Sequence, residues 1–141
     1  MAKVGIIYWS GTGNTENMAS LIKQGVESAG AEAVCKHVSD ASLDELSGFD
    51  TVALGSPSMG SEVVEEDEMA PFVASAKPGL KGKKTALFGS YGWGDGEWMR
   101  NWALEMKEAG VLLVDDGLIV HETPEGASAE QCVAFGVKLA S

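Results

Sequence analysis

Cysteine is scarce and scattered in this chain. Cys35 and Cys132 are the only two, with no C-x-x-C pair and no His or Cys at metal-ligand spacing beside them. That excludes a disulfide framework and a zinc site. Both cysteines read as small buried apolar residues, and their isolation fits a reducing, cytoplasmic setting. Histidine is equally sparse. His121 closes a strand, His37 is expected at an exposed strand end, and no Ser–His–Asp spacing accompanies either. Positive charge is short as well: 10 Lys and Arg stand against 21 Asp and Glu, a net charge of −11. An excess of cations is what nucleic-acid binding requires, so that class is excluded. No apolar run approaches the ~20 residues of a membrane span. Met1-Ala2-Lys3 leads straight into an apolar run without signal-peptide architecture. The 141 residues suit one domain over 1–141, with no room for a second, substrate-binding domain.

Apolar periodicity alternates between strand and helix. Strands are predicted at about 3–9, 31–38, 51–55, 84–90 and within 111–121, the last broken near Asp115-Asp116-Gly117. Ser42–Leu46 reads as a helical turn. The first helix is predicted from Thr15 to Ala29, with Met18, Leu21, Ile22, Gly25, Val26 and Ala29 on one face. The next carries Met69, Phe72, Val73 and Ala76 and stops before Pro78. A third covers 97–109, with Trp98, Met99, Trp102, Ala103 and Met106 inward. The last covers 128–140, with Ala129, Cys132, Val133, Gly136, Val137 and Ala140 as its stripe. Alternating units of this kind imply an α/β fold: a doubly wound, five-stranded parallel sheet with helices on both faces. Ligands of such sheets bind beyond the carboxyl ends of the strands.

Three loops at those ends carry unusual residues. Ser10-Gly11-Thr12-Gly13-Asn14-Thr15 follows the first strand and opens a helix. Gly, hydroxyls and a helix N-terminus make a phosphate cradle there. Gly13 is followed by Asn14 rather than Lys, which excludes a Walker A loop, and Glu16 breaks the dinucleotide G-x-G-x-x-G pattern. An ordinary cap with Asn14 as N-cap explains this loop equally well when taken alone. The second loop is Ser56-Pro57-Ser58-Met59-Gly60-Ser61-Glu62, and the third is Ser90-Tyr91-Gly92-Trp93-Gly94-Asp95. Trp93 on its glycine frame suits stacking on a planar ligand, and Met59 suits a softer opposite wall. Together they describe a slot for a phosphorylated flat heterocycle. FMN fits better than ATP, because no lysine or metal carboxylate accompanies the phosphate loop.

These three loops, in order and at these separations, make the chain resemble the short-chain flavodoxins over essentially its whole length. The resemblance implies a flavodoxin-like sheet of order 2-1-3-4-5. It also implies that Ser10, Thr12, Asn14 and Thr15, with the intervening amides, hold the FMN phosphate. By the same resemblance Met59 covers the inner flavin face and Trp93 the outer. Gly60 lies beside flavin N5, where its peptide can flip; Glu62 accepts from N3–H; and amides near Gly92–Gly94 face the pyrimidine edge. Ser61 stands where short-chain relatives often carry Asp. Pro57 holds Ser56 extended.

The expected function is a low-potential one-electron carrier, not an enzyme, whose FMN cycles between semiquinone and anionic hydroquinone. Acidic residues Glu62, Glu65, Glu66, Asp67, Glu68, Asp95 and Glu97 oppose the second negative charge. The run 62–68 is either a solvated face or a docking patch for basic redox partners. The carrier is expected to work as a monomer. The alternatives are an FMN-dependent NAD(P)H or quinone reductase of the same fold, which needs a second site over the flavin, and a phosphate-sensing module, which leaves Trp93 and Met59 without a purpose.

Overall fold

The computed structural model describes residues 2–60 and 62–140. Six strands, β1 (Lys3–Tyr8), β2 (Glu32–His37), β3 (Thr51–Gly55), β4 (Lys84–Tyr91), β5 (Leu112–Leu113) and β6 (Leu118–His121), form one parallel sheet. Its order is β2-β1-β3-β4-β5, and β6 also pairs with β4. β5 and β6 are two halves of the predicted fifth strand, separated where Asp115 and Gly117 take positive φ. The order reverses between β1 and β3, so the switch point lies at the end of β1.

Alternation along the central strands divides the core. Val4, Ile6, Ala53, Ala86 and Phe88 face α1 (Asn14–Ser28) and α4 (Ala127–Leu139). Ile7, Val52, Leu54 and Leu87 face α2 (Met69–Leu80) and α3 (Glu97–Glu108). All five residues of β3 are buried, as a strand covered on both faces requires. The inward stripe of α3 is the predicted one, with Trp98 and Trp102 among the largest fully buried side chains. Between β2 and β3 the chain makes two 3₁₀ turns, Val38–Asp40 and Leu43–Gly48, in place of a full helix.

Two helices depart from expectation. α2 continues through Pro78 to Leu80. A proline in the last turn forfeits little of the helix beyond it, and Leu80 is anchored by full burial. α4 is rotated from its predicted stripe: Phe135 and Leu139 are buried while Val137 is 43% exposed. Gly25 and Gly136 set this rotation. A Cβ on Gly25 would overlap the Val133 carbonyl, and one on Gly136 would overlap the Ile22 carbonyl. Each helix therefore presents a bare Cα to the other's backbone, which brings Phe135 rather than Val137 inward. The predicted Ala29 of the α1 stripe is exposed, and Thr15 and Ala19 are buried instead.

The α1–α4 contact allows a contest of magnitudes. Alanine is favoured over glycine inside a helix by about 1 kcal/mol. Overpacking a tight backbone contact costs about 1–3 kcal/mol before that gain. Gly25→Ala is expected to lower the urea midpoint; an alanine variant as stable as the parent contradicts the close-contact account.

Candidate functional site

The switch point collects the carboxyl ends of β1, β3, β4 and β6. Trp9 N–H donates to the Gly55 carbonyl (3.0 Å) as the last rung between β1 and β3. The chain then turns through 10–13 into α1. Gly13, not Asn14, occupies the N-cap, and no side chain caps the helix from there. Instead Ser10 Oγ accepts the Gly13 and Glu16 amides, each at 3.2 Å. The loop holds its own donors in the shape an anion would require, with the N-terminal end of the helix dipole behind them. Thr15 is buried, and its hydroxyl pairs with Ser90 Oγ at 2.8 Å.

The second loop is fixed from beneath. Ser56 is fully buried, its N–H donates to the Phe88 carbonyl (3.1 Å), and its carbonyl accepts the Trp98 indole N–H (3.2 Å). Ser56 Oγ donates to the Pro57 carbonyl and accepts the Glu65 amide (3.0 Å). Beyond Pro57 the chain forms a small antiparallel bridge between Met59 and Val63. Gly60 stands at its tip with φ +46°, a left-handed conformation open to glycine. Ser61 lies outside the described residues. Glu65 is buried, and its carboxylate accepts the amides of Asp67, Glu68 and Met69, capping α2.

Ser90 joins the loops. Its hydroxyl meets Thr15, and its carbonyl accepts the Ser58 amide at 2.9 Å. Glu62 adds a second tie: it is buried, and Oε1 accepts the Asp95 amide at 3.0 Å. Asp95 also pairs with Arg100 at 3.0 Å. A fourth loop, after β6, contributes Thr123, whose hydroxyl donates to Asn14 Oδ1 (2.9 Å).

These loops enclose a cavity of ≈ 320 Å³ lined by Trp9, Gly11, Thr12, Asn14, Pro57, Ser58, Met59, Ser90, Tyr91, Gly92 and Glu122. The three predicted loops thus converge on one site. Within them the structure separates two groups. Gly11, Thr12, Asn14, Pro57, Ser58, Met59, Ser90, Tyr91 and Gly92 face the cavity. Ser10, Gly13, Thr15, Ser56, Gly60, Glu62, Trp93, Gly94 and Asp95 do not line it. Several of these hold the loops in shape, as described. Glu62 directs Oε1 at Asp95, not into the cavity. Trp93 is 57% exposed, so it neither folds back on the core nor stands against the cavity wall. A larger depression near Lys81, Lys83 and Lys84 lies at the opposite, amino ends of the strands, where this fold does not place ligands.

Two lining residues escaped the sequence reading. Trp9, at the end of the first predicted strand, lines the cavity, and its indole N–H donates to Glu68 (3.1 Å). Glu122 follows the last strand, and the strand-end rule that found the other loops points to it as well. The expectation for His37 also changes. It is half-buried, not exposed, and its ring meets those of Tyr8 and Trp9.

A flavin phosphate ester fits this donor set. The anion end is built of amides and hydroxyls, and Trp9, Pro57, Met59 and Tyr91 supply an apolar wall. Ser58 Oγ is buried at that wall without a hydrogen-bond partner, a polar group the protein leaves unsatisfied beside the cavity. Among the described residues no group of three His, Cys, Asp or Glu side chains is arranged to hold a metal ion. No helix there is long and apolar enough to cross a membrane.

A doubly wound sheet with amides, hydroxyls and a helix N-terminus beside an apolar slot at its switch point defines the class: a small α/β protein of flavodoxin-like topology. The flavodoxin family profile matches residues 6–136. A flavodoxin of Clostridium beijerinckii is 47% identical over 96% of this chain and 98% of its own. One of Megasphaera elsdenii is 44% identical over 94% and 95%. The solution structure of two-electron reduced Megasphaera elsdenii flavodoxin superposes with a TM-score of 0.89 at 42% identity, covering 97% of this chain and 98% of that one. The chain belongs to the flavodoxin family. It is an FMN-binding electron carrier that acts with redox partner proteins, not an enzyme, and the reductase alternative is not favoured.

Neither cysteine is poised for chemistry. Cys35 is half-buried and Cys132 buried, and burial pushes each thiol up to about 11. At pH 8 about one thiol in a thousand is then thiolate. Alkylation by iodoacetamide is expected to be slow at pH 8 and to rise about tenfold per pH unit toward 10. Rapid labelling at pH 7 contradicts the burial seen here.

Proposed function

We propose that the cavity at the switch point is the FMN site, and that the chain works as a single-domain, monomeric, low-potential one-electron carrier in the cytoplasm. The observation that carries this is the convergence of a neutral anion cradle and an apolar slot in one cavity. In this reading Gly11, Thr12, Asn14 and the first amides of α1 take the phosphate, while Ser10, Gly13 and Thr15 keep the cradle in shape. Pro57, Ser58 and Met59 line the inner flavin face, with Ser56 beneath them. Tyr91 and Gly92 border the slot, and Trp93 closes the outer face by turning on its flanking glycines. Gly60 and Ser61 lie at the flavin's reactive edge. Glu62 and Asp95 set the spacing of the second and third loops; contact of that same Glu62 oxygen with flavin N3–H requires it to leave the Asp95 amide.

FMN supplies the redox chemistry; the protein biases it by surrounding charge. Glu62 and Glu65 are spent internally, so the exposed acids near the slot are Glu66, Asp67, Glu68, Asp95, Glu97 and Glu122. They and the phosphate oppose added negative charge, and for one electron each tenfold loss of affinity lowers the potential by about 59 mV. The same exposed acids form the docking face for basic redox partners.

Anaerobic dithionite titration of the FMN-loaded protein tests this. Two separated one-electron steps are expected, the second below the potential of free FMN. A single two-electron step at the free-flavin potential, or no FMN binding, overturns the reading. Gly60→Thr is expected to bring the two potentials closer by about 60 mV or more, because a side chain at φ +46° resists a peptide flip. Unchanged potentials contradict the role given to Gly60.

A further inference from the structure

β1 and β2 are paired to their ends, with Tyr8 opposite His37. The next amide of β1 facing β2 belongs to Ser10. By then the partner strand has gone: the chain turns into the 3₁₀ helix Val38–Asp40, and a ladder needs an acceptor from an extended neighbour. The His37 side chain supplies it. The Ser10 N–H donates to His37 Nε2 at 3.4 Å, a long bond in a half-buried setting. A neutral imidazole that accepts at Nε2 carries its proton on Nδ1. Ser39 faces Nδ1 with two groups: in the tautomer that accepts from Ser10 its Oγ, 2.9 Å away, takes the Nδ1 proton, whereas the Ser39 N–H, 3.2 Å away, donates to Nδ1 only in the other tautomer. The ring is held edge-on to Tyr8 (5.5 Å between centroids) and tilted against Trp9 (6.3 Å).

Ser10 is the residue whose hydroxyl gathers the Gly13 and Glu16 amides. A chain of three links therefore runs from Ser39 through the imidazole to the Ser10 backbone and on to the cradle. Resting on the flavin reading above, we propose that His37 is a positioning residue for the phosphate cradle: it replaces the missing rung of the sheet and so sets the place of Ser10 Oγ before the phosphate arrives. His37 does not itself line the cavity, but its ring meets Trp9, which does, so a variant that keeps an aromatic ring there isolates the effect on the phosphate end.

The test compares FMN with riboflavin, which lacks the phosphate, by quenching of flavin fluorescence on binding to apoprotein. His37→Phe keeps an aromatic ring against Tyr8 and Trp9 but removes the acceptor. It is expected to weaken FMN binding about fivefold, the effect of one lost hydrogen bond, with riboflavin changed less than about twofold. His37→Gln restores an acceptor near the Nε2 position and is expected to recover most of the FMN affinity. Parallel losses for FMN and riboflavin mark a merely structural role and overturn the proposal, as do an unchanged FMN affinity in His37→Phe and a failure of His37→Gln to recover it. If the unmutated chain binds neither flavin, the flavin reading itself fails, an outcome visible before any variant is made.

Discussion

The site depends on Ser90. It is the penultimate residue of β4, and its two polar groups face different loops: the hydroxyl meets buried Thr15 at the start of α1, and the carbonyl takes the Ser58 amide. Its neighbours in the strand register, Gly89 with Ile119 and Tyr91 with His121, carry β6 and the fourth loop alongside. A buried hydroxyl pair is strongly directional, because separation strands two polar groups away from water at about 1–3 kcal/mol each. The 10–15 loop, the Met59 loop and the third loop are thereby referred to one residue in a strand that is buried from Thr85 to Ser90. The sheet supplies rigidity, and the loops supply chemistry at fixed spacing.

Much of this was legible in the sequence where a local pattern decides the structure. β3 is an apolar run between turn residues and falls at its predicted bounds. The α3 stripe follows from Trp98, Met99, Trp102, Ala103 and Met106 at helical spacing. The three loops were legible because strand ends and Gly-rich segments coincide. What was not legible depends on partners distant in sequence. The rotation of α4 is set by Gly25 and Gly136 meeting backbone from the other helix, which no single-helix periodicity encodes. Glu62 and Glu65 read as part of an acidic surface run, but a loop amide and a helix N-terminus draw them inside. His37 read as a strand end, and its contact with Ser10 exists because the chain stays beside β3 at Trp9 while the other strand turns into a 3₁₀ helix after His37.

The electrostatic design is unusual in its economy. In the reading proposed above, a chain of net charge −11 holds a phosphate ester with a loop, 10–15, that contains no Lys or Arg. Attraction comes from short-range donors: backbone amides, hydroxyls and a helix terminus. Long-range attraction is absent, and the surrounding acids repel. In that reading the phosphate charge stays largely uncancelled beside the flavin, which opposes further reduction and suits a low-potential carrier. Binding and redox tuning are two consequences of the same missing cation.

That claim has a direct measurement: the ratio of FMN to riboflavin affinity as ionic strength rises from about 10 mM to about 500 mM. Salt screens the repulsive long-range field more than it weakens hydrogen bonds in the cradle. The ratio is expected to hold steady or rise. A ratio that falls tenfold or more across this range signals a cationic anchor for the phosphate and contradicts the account.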